Sequence, residues 1–170
     1  MISRDRVQCE PSGDGKPEVH VRMMLPDDIQ AVLEIEHRSF PTPWSEQVFN
    51  TEITRNPNAH YIVAARGRDL VGYAGMWLLR HEAHITNIAV DPDERGMGIG
   101  ARLLRSLMSR ARAAEVGRIT LEVRVSNEIA TQFYRKYGFT TKGLRHGYYT
   151  DTGEDALVMV CRDIESVLRR

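Results

Sequence analysis

Hydrophobic residues recur along the chain with two different periods, and each period predicts a different secondary structure. Val19, Val21 and Met23 alternate with polar residues, which is the period of a strand with one buried face. Over residues 27–39 the apolar positions recur every three to four residues, which predicts an amphipathic helix. A strand followed by a helix is therefore expected near the N-terminus.

Turn-forming residues separate the later elements. Pro41-Thr42-Pro43 breaks the first helix, Ser45 can cap a second short helix, and Gly67-Arg68-Asp69 favours a hairpin turn. Two longer helices are predicted over 98–115 and 127–137. Six further strands are predicted at 60–66, 70–79, 84–90, 119–123, 139–149 and 156–162. This order predicts the α/β (α+β) class, as one domain in which four helices flank a central sheet of about seven strands.

Composition limits the domain organisation and the function classes. The chain has 170 residues, the size of one domain. Residues 1–18 are polar and carry a Pro- and Gly-rich run, which predicts a flexible tail before a domain at 19–170. Basic and acidic residues both number 23, and the zero net charge argues against a dedicated nucleic-acid binder. Two cysteines and no apolar run of membrane-spanning length favour a cytoplasmic protein without membrane contact.

Histidine and arginine positions add two weaker expectations. The six histidines lack the spacing of metal ligands, so no metal site is expected, and His81 and His84 flank a strand turn and are expected to be exposed. The helix at 98–115 carries four arginines, which form either a weak nucleic-acid patch or only a solvated helix face. They are Arg102, Arg105, Arg110 and Arg112.

A glycine-rich loop follows the apolar strand at 84–90. Gly96, Gly98 and Gly100 alternate with other residues and open the next helix. Such a loop can bind a phosphate or pyrophosphate through backbone N–H groups, but a tight turn without a ligand needs the same glycines. The loop lacks the Gly-Lys-Ser/Thr of a P-loop, and its spacing differs from the dinucleotide-binding G-x-G-x-x-G.

Two polar side chains stand at positions where chemistry is conceivable. Glu122 interrupts an apolar strand, on the face opposite Leu121 and Val123. Solvent exposure is the simplest interpretation of that alternation, and a salt bridge or a catalytic role are the alternatives. Tyr134 lies on the apolar stripe of its helix, so core packing is the simplest interpretation there.

Together these residues resemble a known family. Arg95-x-x-Gly98-x-Gly100, after an apolar strand and in register with Asn127, Tyr134 and Gly138-Phe139, resembles the acetyl-CoA signature of the GNAT N-acetyltransferases. Three further phrases are most similar to the ribosomal-protein alanine N-acetyltransferases and the archaeal N-terminal acetyltransferases. They are Phe40-Pro41-x-x-Trp44-Ser45, Leu121-Glu122-Val123-Arg124-x-Ser126-Asn127 and Tyr148-Tyr149-x-x-x-x-Glu154-Asp155-Ala156.

The resemblance, over residues 19–162, implies a reaction and its residues. The acetyl group of acetyl-CoA would pass to a protein or peptide N-terminal amine by direct attack, with Glu122 as general base and Tyr134 as general acid. The backbone N–H near Val90 would polarise the thioester carbonyl. The implied acetyl-CoA-binding residues are Ile88, Ala89, Val90, Arg95, Gly96, Met97, Gly98, Ile99, Gly100 and Asn127. Many relatives carry a basic or polar residue at position 96, so Gly96 removes one side-chain contact but leaves the backbone cradle.

The acceptor side and the alternatives complete the expectations. The resemblance places substrate-binding residues at Phe40, Pro41, Trp44, Tyr148 and Tyr149, although Phe40 and Trp44 also suit a core plug. A protein that is a monomer or weak homo-oligomer is expected. A GNAT enzyme for a small-molecule amine and a non-catalytic acyl-CoA-binding domain remain as alternative hypotheses.

Overall fold

The computed structural model describes residues 18–169 of the chain. The predicted flexible tail, apart from Glu18, lies outside the described residues. Seven strands form one sheet, as predicted: β1 Val19–Met23, β2 Ala59–Arg66, β3 Asp69–Leu78, β4 Ala83–Val90, β5 Ile119–Arg124, β6 Thr140–Tyr149 and β7 Glu154–Cys161. Their order across the sheet is β1-β2-β3-β4-β5-β7-β6.

The four predicted helices are confirmed, and one short helix near the C-terminus was not foreseen. The helices are α1 Ile29–Ser39, α2 Glu46–Arg55, α3 Ile99–Ala113, α4 Glu128–Lys136 and α5 Ile164–Leu168. The Ser45 side chain accepts the Val48 N–H and caps α2, as expected. Gly138 follows α4 with a φ of +81°, the left-handed stop that the sequence predicted.

Two hydrophobic cores lie on opposite faces of the sheet. α1 and α2 cover one face through a cluster that includes Val32, Ile35 and Phe49. α3 covers the other face through its buried leucines, and α4 and α5 pack against the same cluster. Leu121 and Val123 of β5 belong to this second core. Because side chains alternate along a strand, Thr120 and Glu122 of β5 face the α1–α2 side.

β4 and β5 form the one parallel pair of the described sheet, and they part almost at once. Strands joined by a crossover helix run parallel, and here α3 is the crossover. The pairing is limited to Ala83 with Ile119 and His84 with Thr120. Beside this point the β3–β4 register shifts after Gly75, because Thr86 is an extra residue in β4. The result is a gap between the carboxyl ends of β4 and β5.

Three of the four α3 arginines contact residues of β1 and α5, and Arg102 and Arg112 remain 51% and 53% exposed, which is compatible with a solvated helix face. Arg102 donates to the Val19 carbonyl at 2.6 Å. Arg105 donates to the Val167 and Leu168 carbonyls at 3.3 and 2.9 Å. Arg112 lies 3.4 Å from Glu165. These contacts give the arginines a structural role in fixing β1 and α5 against α3.

Candidate active site at the gap between strands

Backbone groups of β4 point into the gap. The Asp91 N–H donates to the Val71 carbonyl of β3 at 3.0 Å. Because successive residues of a strand direct their backbone groups to opposite sides, Val90 and Ile88 direct theirs away from β3, toward β5. In the described sheet β5 does not pair with either residue. Two predicted site residues therefore present backbone donors and acceptors to the gap, whereas Ala89 faces β3 and packs its side chain under α1.

The glycine-rich loop at the end of β4 has room beside its backbone. Gly96 and Gly98 have φ values of +81° and +77°, and a Cβ on either residue would meet no atom within 4 Å. Left-handed backbone of this kind favours glycine and turns N–H groups outward. Helix α3 begins at Ile99, whose side chain is buried in the core. The loop thus offers an open set of N–H donors at a helix start, which suits a pyrophosphate.

Salt bridges from neighbouring elements hold this loop, and the sequence did not reveal them. Arg38 at the end of α1 binds Asp91 and Asp93 at 2.7 and 2.9 Å. Arg66 at the end of β2 pairs with Glu94. These partners lie 28 to 55 residues apart in the chain, so no local motif marks them.

The other predicted side chains of the loop are placed as follows. The Arg95 side chain donates to the Val90 carbonyl at 3.1 Å and to Ser39 Oγ at 3.4 Å. Met97 is exposed, and its Sδ lies 3.5 Å from Arg66. Gly100 lies beside Val90 and Phe133 of α4. Asn127 caps α4 by accepting the Ala130 N–H at 3.1 Å, a structural role that the sequence analysis had not assigned.

Glu122 is not a solvent-exposed residue, which corrects the simplest interpretation of its strand pattern. Its side chain is only 7% exposed. His84 Nε2 lies 3.1 Å from Glu122 Oε2, and Arg145 lies 3.3 Å from Oε1. The nearby imidazole lowers the pKa of Glu122, partial burial opposes that effect, and the Arg145 charge adds to the lowering. The carboxyl group is therefore ionised at neutral pH.

His84 was expected to be exposed, and the structure shows otherwise. Its side chain is 21% exposed and lies between the Trp77 ring, at 5.8 Å between centroids, and Glu122. No local sequence signal marks this contact, because the two residues lie on different strands. His84 thus joins the site as a residue that sequence reasoning missed.

Tyr134 packs in the core, as its position on the apolar stripe predicted. Its ring contacts Phe133 and Phe139 at centroid distances of 5.3 and 5.6 Å. Within the described residues its hydroxyl has no hydrogen-bond partner. Burial and, secondarily, interaction with Tyr149 raise the pKa of Tyr134. The phenol therefore keeps its proton at neutral pH.

Aromatic and charged side chains of β5, β6 and the β6–β7 turn form a continuous rim beside Glu122. We call Arg124, Arg145, Tyr148, Tyr149 and Asp151 the β6–β7 rim. Arg145 lies over the Tyr148 ring at 5.6 Å, and Tyr148 meets Tyr149 edge-on at 5.1 Å. Arg124 lies 3.8 Å from the Tyr149 ring centre and binds Asp151 at 2.7 Å. Burial raises the pKa of Tyr149 to about 12.

The α1–α2 loop meets this rim. Thr42 Oγ1 donates to Asp151 at 2.7 Å, so the two loops touch. Of the residues predicted in the α1–α2 loop, Pro41 is exposed, and Phe40 and Trp44 are half-buried against the core under α1 and α2. The structure therefore supports the core-plug interpretation for the Phe40 and Trp44 rings, while the loop itself remains beside the rim.

A buried carboxylate fixes the α1–α2 loop. Glu36 is 1% exposed, accepts the Trp44 N–H at 2.9 Å and accepts the Tyr73 hydroxyl. Burial raises the pKa of Glu36, and the two hydrogen bonds oppose that effect. Because the carboxylate that binds the Trp44 N–H is buried, this contact fixes the direction in which the loop leaves the end of α1.

The described residues contain neither a candidate metal-binding cluster nor a candidate membrane-spanning helix. Residues 18–169 contain no cluster of three or more His, Cys, Asp or Glu side chains that could hold a metal ion. In the same range no helix has the length and apolar character needed to cross a membrane.

Comparison with known proteins gives consistent matches. Residues 29–139 match the acetyltransferase (GNAT) family. A Bacillus subtilis relative, provisionally named a ribosomal protein bS18-alanine N-acetyltransferase, is 44% identical over 144 residues, which cover 85% of this chain and 95% of the relative.

Solved structures agree. The ribosomal-protein-S18-alanine N-acetyltransferase from Escherichia coli superposes with a TM-score of 0.78 at 31% identity, over 85% of this chain and 93% of the other. Ard1 from Thermoplasma volcanium superposes with a TM-score of 0.76 at 28% identity, over 84% of this chain and 95% of the other. The predicted resemblance to both groups is confirmed.

The Glu36 anchor gives a test of the loop. Replacing Glu36 with Ala removes the acceptor of the Trp44 N–H, so we expect faster hydrogen exchange at the Trp44 amide and a loss of about 1–3 kcal/mol of unfolding free energy. Glu34→Ala is the matched control, because Glu34 lies on the exposed side of the same helix. Unchanged exchange at Trp44 in Glu36→Ala would show that the loop does not depend on this anchor.

Proposed function

The chain belongs to the GNAT acetyltransferase family, and we propose that it transfers the acetyl group of acetyl-CoA to the N-terminal α-amino group of a protein, with ribosomal proteins as the leading acceptor class. GNAT acetyltransferases use acetyl-CoA. The observation that carries the proposal is the ionised Glu122, whose side chain is only 7% exposed beside the β4–β5 gap, and the neutral phenol of Tyr134 on α4, the helix that follows β5, supplies the second group. The α-amino acceptor rests on the relatives named for that activity.

The residues fit acetyl-CoA as the donor substrate. The open N–H groups of the loop from Arg95 to Gly100 suit its pyrophosphate, and Gly96 and Gly98 leave space for it. The Val90 N–H, directed into the gap, is suited to bind the thioester oxygen as negative charge grows there. Arg95 already contacts the Val90 carbonyl, so its proposed role includes support of the loop as well as phosphate binding.

The lowered pKa of Glu122 determines when it can take a proton. An N-terminal ammonium has a pKa near ~8, so a carboxylate with a pKa below its usual range cannot hold that proton at equilibrium. Attack on the thioester makes the nitrogen positively charged and far more acidic. We therefore propose that Glu122 accepts the proton that the nitrogen releases as the N–C bond forms, either directly or through a water molecule.

The raised pKa of Tyr134 suits the opposite role. A phenol that stays protonated can give its proton to the sulfur as the C–S bond breaks. Tyr149 interacts electrostatically with both Tyr134 and Glu122, which supports the view that the acid and the base serve one site. Glu122 thus takes the proton of the nitrogen as the N–C bond forms, Tyr134 gives its proton to the sulfur, and the thiol leaves neutral. Tyr134 then regains a proton from solvent and Glu122 releases one to solvent, which restores the starting state.

The acceptor peptide would pass between the α1–α2 loop and the β6–β7 rim. Pro41 and Thr42 on one side and Tyr148 and Tyr149 on the other are the residues we propose to contact it. The Thr42–Asp151 hydrogen bond would have to open or shift for a long chain, whereas a small amine needs less room.

A panel of acceptors tests the proposed function. With acetyl-CoA, we expect peptides with a free N-terminus to be acetylated at the α-amine, and the same peptides with a blocked N-terminus to remain unmodified. Mass spectrometry of the first residue is the measurement. Faster turnover of free small amines than of any peptide would favour the small-molecule alternative, and binding of acetyl-CoA with no transfer at all would favour the non-catalytic one.

Two substitutions test the assigned roles. We expect Glu122→Gln and Tyr134→Phe each to lower kcat by about 10²–10⁴-fold, because each removes a proton-transfer group while keeping its shape. Glu115→Gln, exposed just after α3, and Tyr137→Phe, directly after α4, are the matched controls and should keep full turnover. Steady-state thiol release measures all four. Full activity in the double variant would refute both assignments.

The pH dependence follows from the sign of the Glu122 shift. A lowered pKa keeps Glu122 ionised down to pH values below its ordinary range, so the acid side of the kcat/KM profile should report the acceptor amine. We expect kcat/KM to fall about tenfold per pH unit below the acceptor's pKa near ~8, and to follow that pKa when acceptors of different basicity are compared. A flat profile between pH 6 and 8 would contradict the proposed proton order.

A further inference from the structure

His84 stands where β4 and β5 part. It pairs with Thr120, and this is the final pair before the gap opens. Thr120 and Glu122 are two residues apart on β5, so their side chains project from the same face as the His84 side chain. An imidazole, a hydroxyl and a carboxylate therefore lie together at the point where β4 and β5 separate.

Both ring nitrogens of His84 have partners. Nε2 lies 3.1 Å from Glu122 Oε2, and Nδ1 lies 2.9 Å from Thr120 Oγ1. The tilted Trp77 ring, 5.8 Å away between centroids, limits rotation of the imidazole. Because contacts at both nitrogens and along one face hold the ring, its orientation is fixed, with Nε2 directed at the Glu122 carboxylate.

The two partners of the Glu122 carboxyl group differ in how firmly they are held. His84 approaches from inside the sheet, with a side chain 21% exposed. Arg145 approaches the other oxygen from the edge strand β6, with a side chain 57% exposed. A long exposed arginine loses more conformational entropy when it is fixed in one position, so its contact holds the carboxylate weakly. The imidazole is the firmer of the two constraints.

We propose that His84 is a positioning residue for the proposed base, which holds one oxygen of Glu122 so that the other faces the acceptor amine, and that Thr120 fixes the proton on Nε2 of His84. This inference rests on the proposed function, because it assumes that Glu122 is the base. His84 acts through Glu122 and is not assigned contact with the acceptor.

Proton placement supports this role. An ionised carboxylate only accepts hydrogen bonds, so the imidazole must carry a proton on Nε2 to stabilise it. When the ring is neutral, the Thr120 hydroxyl can donate to the bare Nδ1 at 2.9 Å instead of to the Ala83 carbonyl at 3.4 Å. When the ring is cationic, Nδ1 donates to the Thr120 oxygen. Thr120 satisfies both states, and both leave the Nε2 proton facing Glu122.

The groups that face Glu122 come from two packed strands. His84 on β4 and Arg145, Tyr148 and Tyr149 on β6 all interact with its charge. Of these, His84 contributes the largest lowering of the Glu122 pKa. Loss of the imidazole should therefore raise the Glu122 pKa, even though Arg145 remains.

The test combines kinetics with a direct measurement on the carboxyl group. We expect His84→Leu to lower kcat by about 10²-fold with KM values for acetyl-CoA and peptide within about twofold, because only the orientation of the base is lost. His84→Gln keeps an N–H donor and should recover most of kcat. His81→Leu, on the exposed turn before β4, is the matched control.

Carbon-13 NMR titration of the Glu122 carboxyl, assigned by its loss in Glu122→Gln, gives a readout independent of turnover. The Glu122 pKa should rise in His84→Leu, rise in Thr120→Val, and change less in His84→Gln. An unchanged pKa and unchanged kcat in His84→Leu would overturn the inference while leaving Glu122 as base. Full activity of Glu122→Gln would instead overturn the proposed function. If His84→Leu does not fold, Thr120→Val and His84→Gln decide by the same two measurements.

Discussion

β4 and β5 run side by side for two residue pairs and then part, and the candidate site depends on that gap. The parallel direction follows from the α3 crossover, and the extra residue Thr86 shifts the register of β4 just beyond the last pair. A sheet that stayed paired would satisfy the Val90 and Ile88 backbone groups internally. Because it parts, those groups face the gap and have no strand partner on β5.

The gap needs support, because backbone without strand partners is held only by what surrounds it. Arg38, Arg66 and Arg95 supply much of that support by tying the glycine-rich loop to α1, β2 and β4. The zero net charge of the chain is consistent with this use, since many arginines have acidic or carbonyl partners within the fold. Charge serves here to hold loops in place.

Opposite environments separate the proposed acid from the proposed base. Glu122 lies among His84 and Arg145, which favour its ionised form, whereas Tyr134 lies among aromatic rings, which favour its neutral form. Both faces of the sheet carry hydrophobic cores, and the polar contacts of Glu122 lie at the β4–β5 gap. The proposed proton acceptor and the proposed proton donor thus differ in their surroundings, and Tyr149 interacts electrostatically with both groups.

Local pattern was enough to predict all seven strands, the four longer helices, the cap at Ser45 and the stop at Gly138, because periodicity and turn chemistry act within a few residues. Motif resemblance then selected Glu122 and Tyr134. The alternation of apolar and polar residues in β5 predicted an exposed Glu122. That prediction was wrong, since alternation identifies the face of the strand on which a side chain lies and not what covers that face. Only the tertiary structure showed that His84 and Arg145 surround that carboxylate and that Arg38 and Arg66 hold the loop. These partners lie on separate elements, and the sheet order, which no local signal encodes, decides which of them meet.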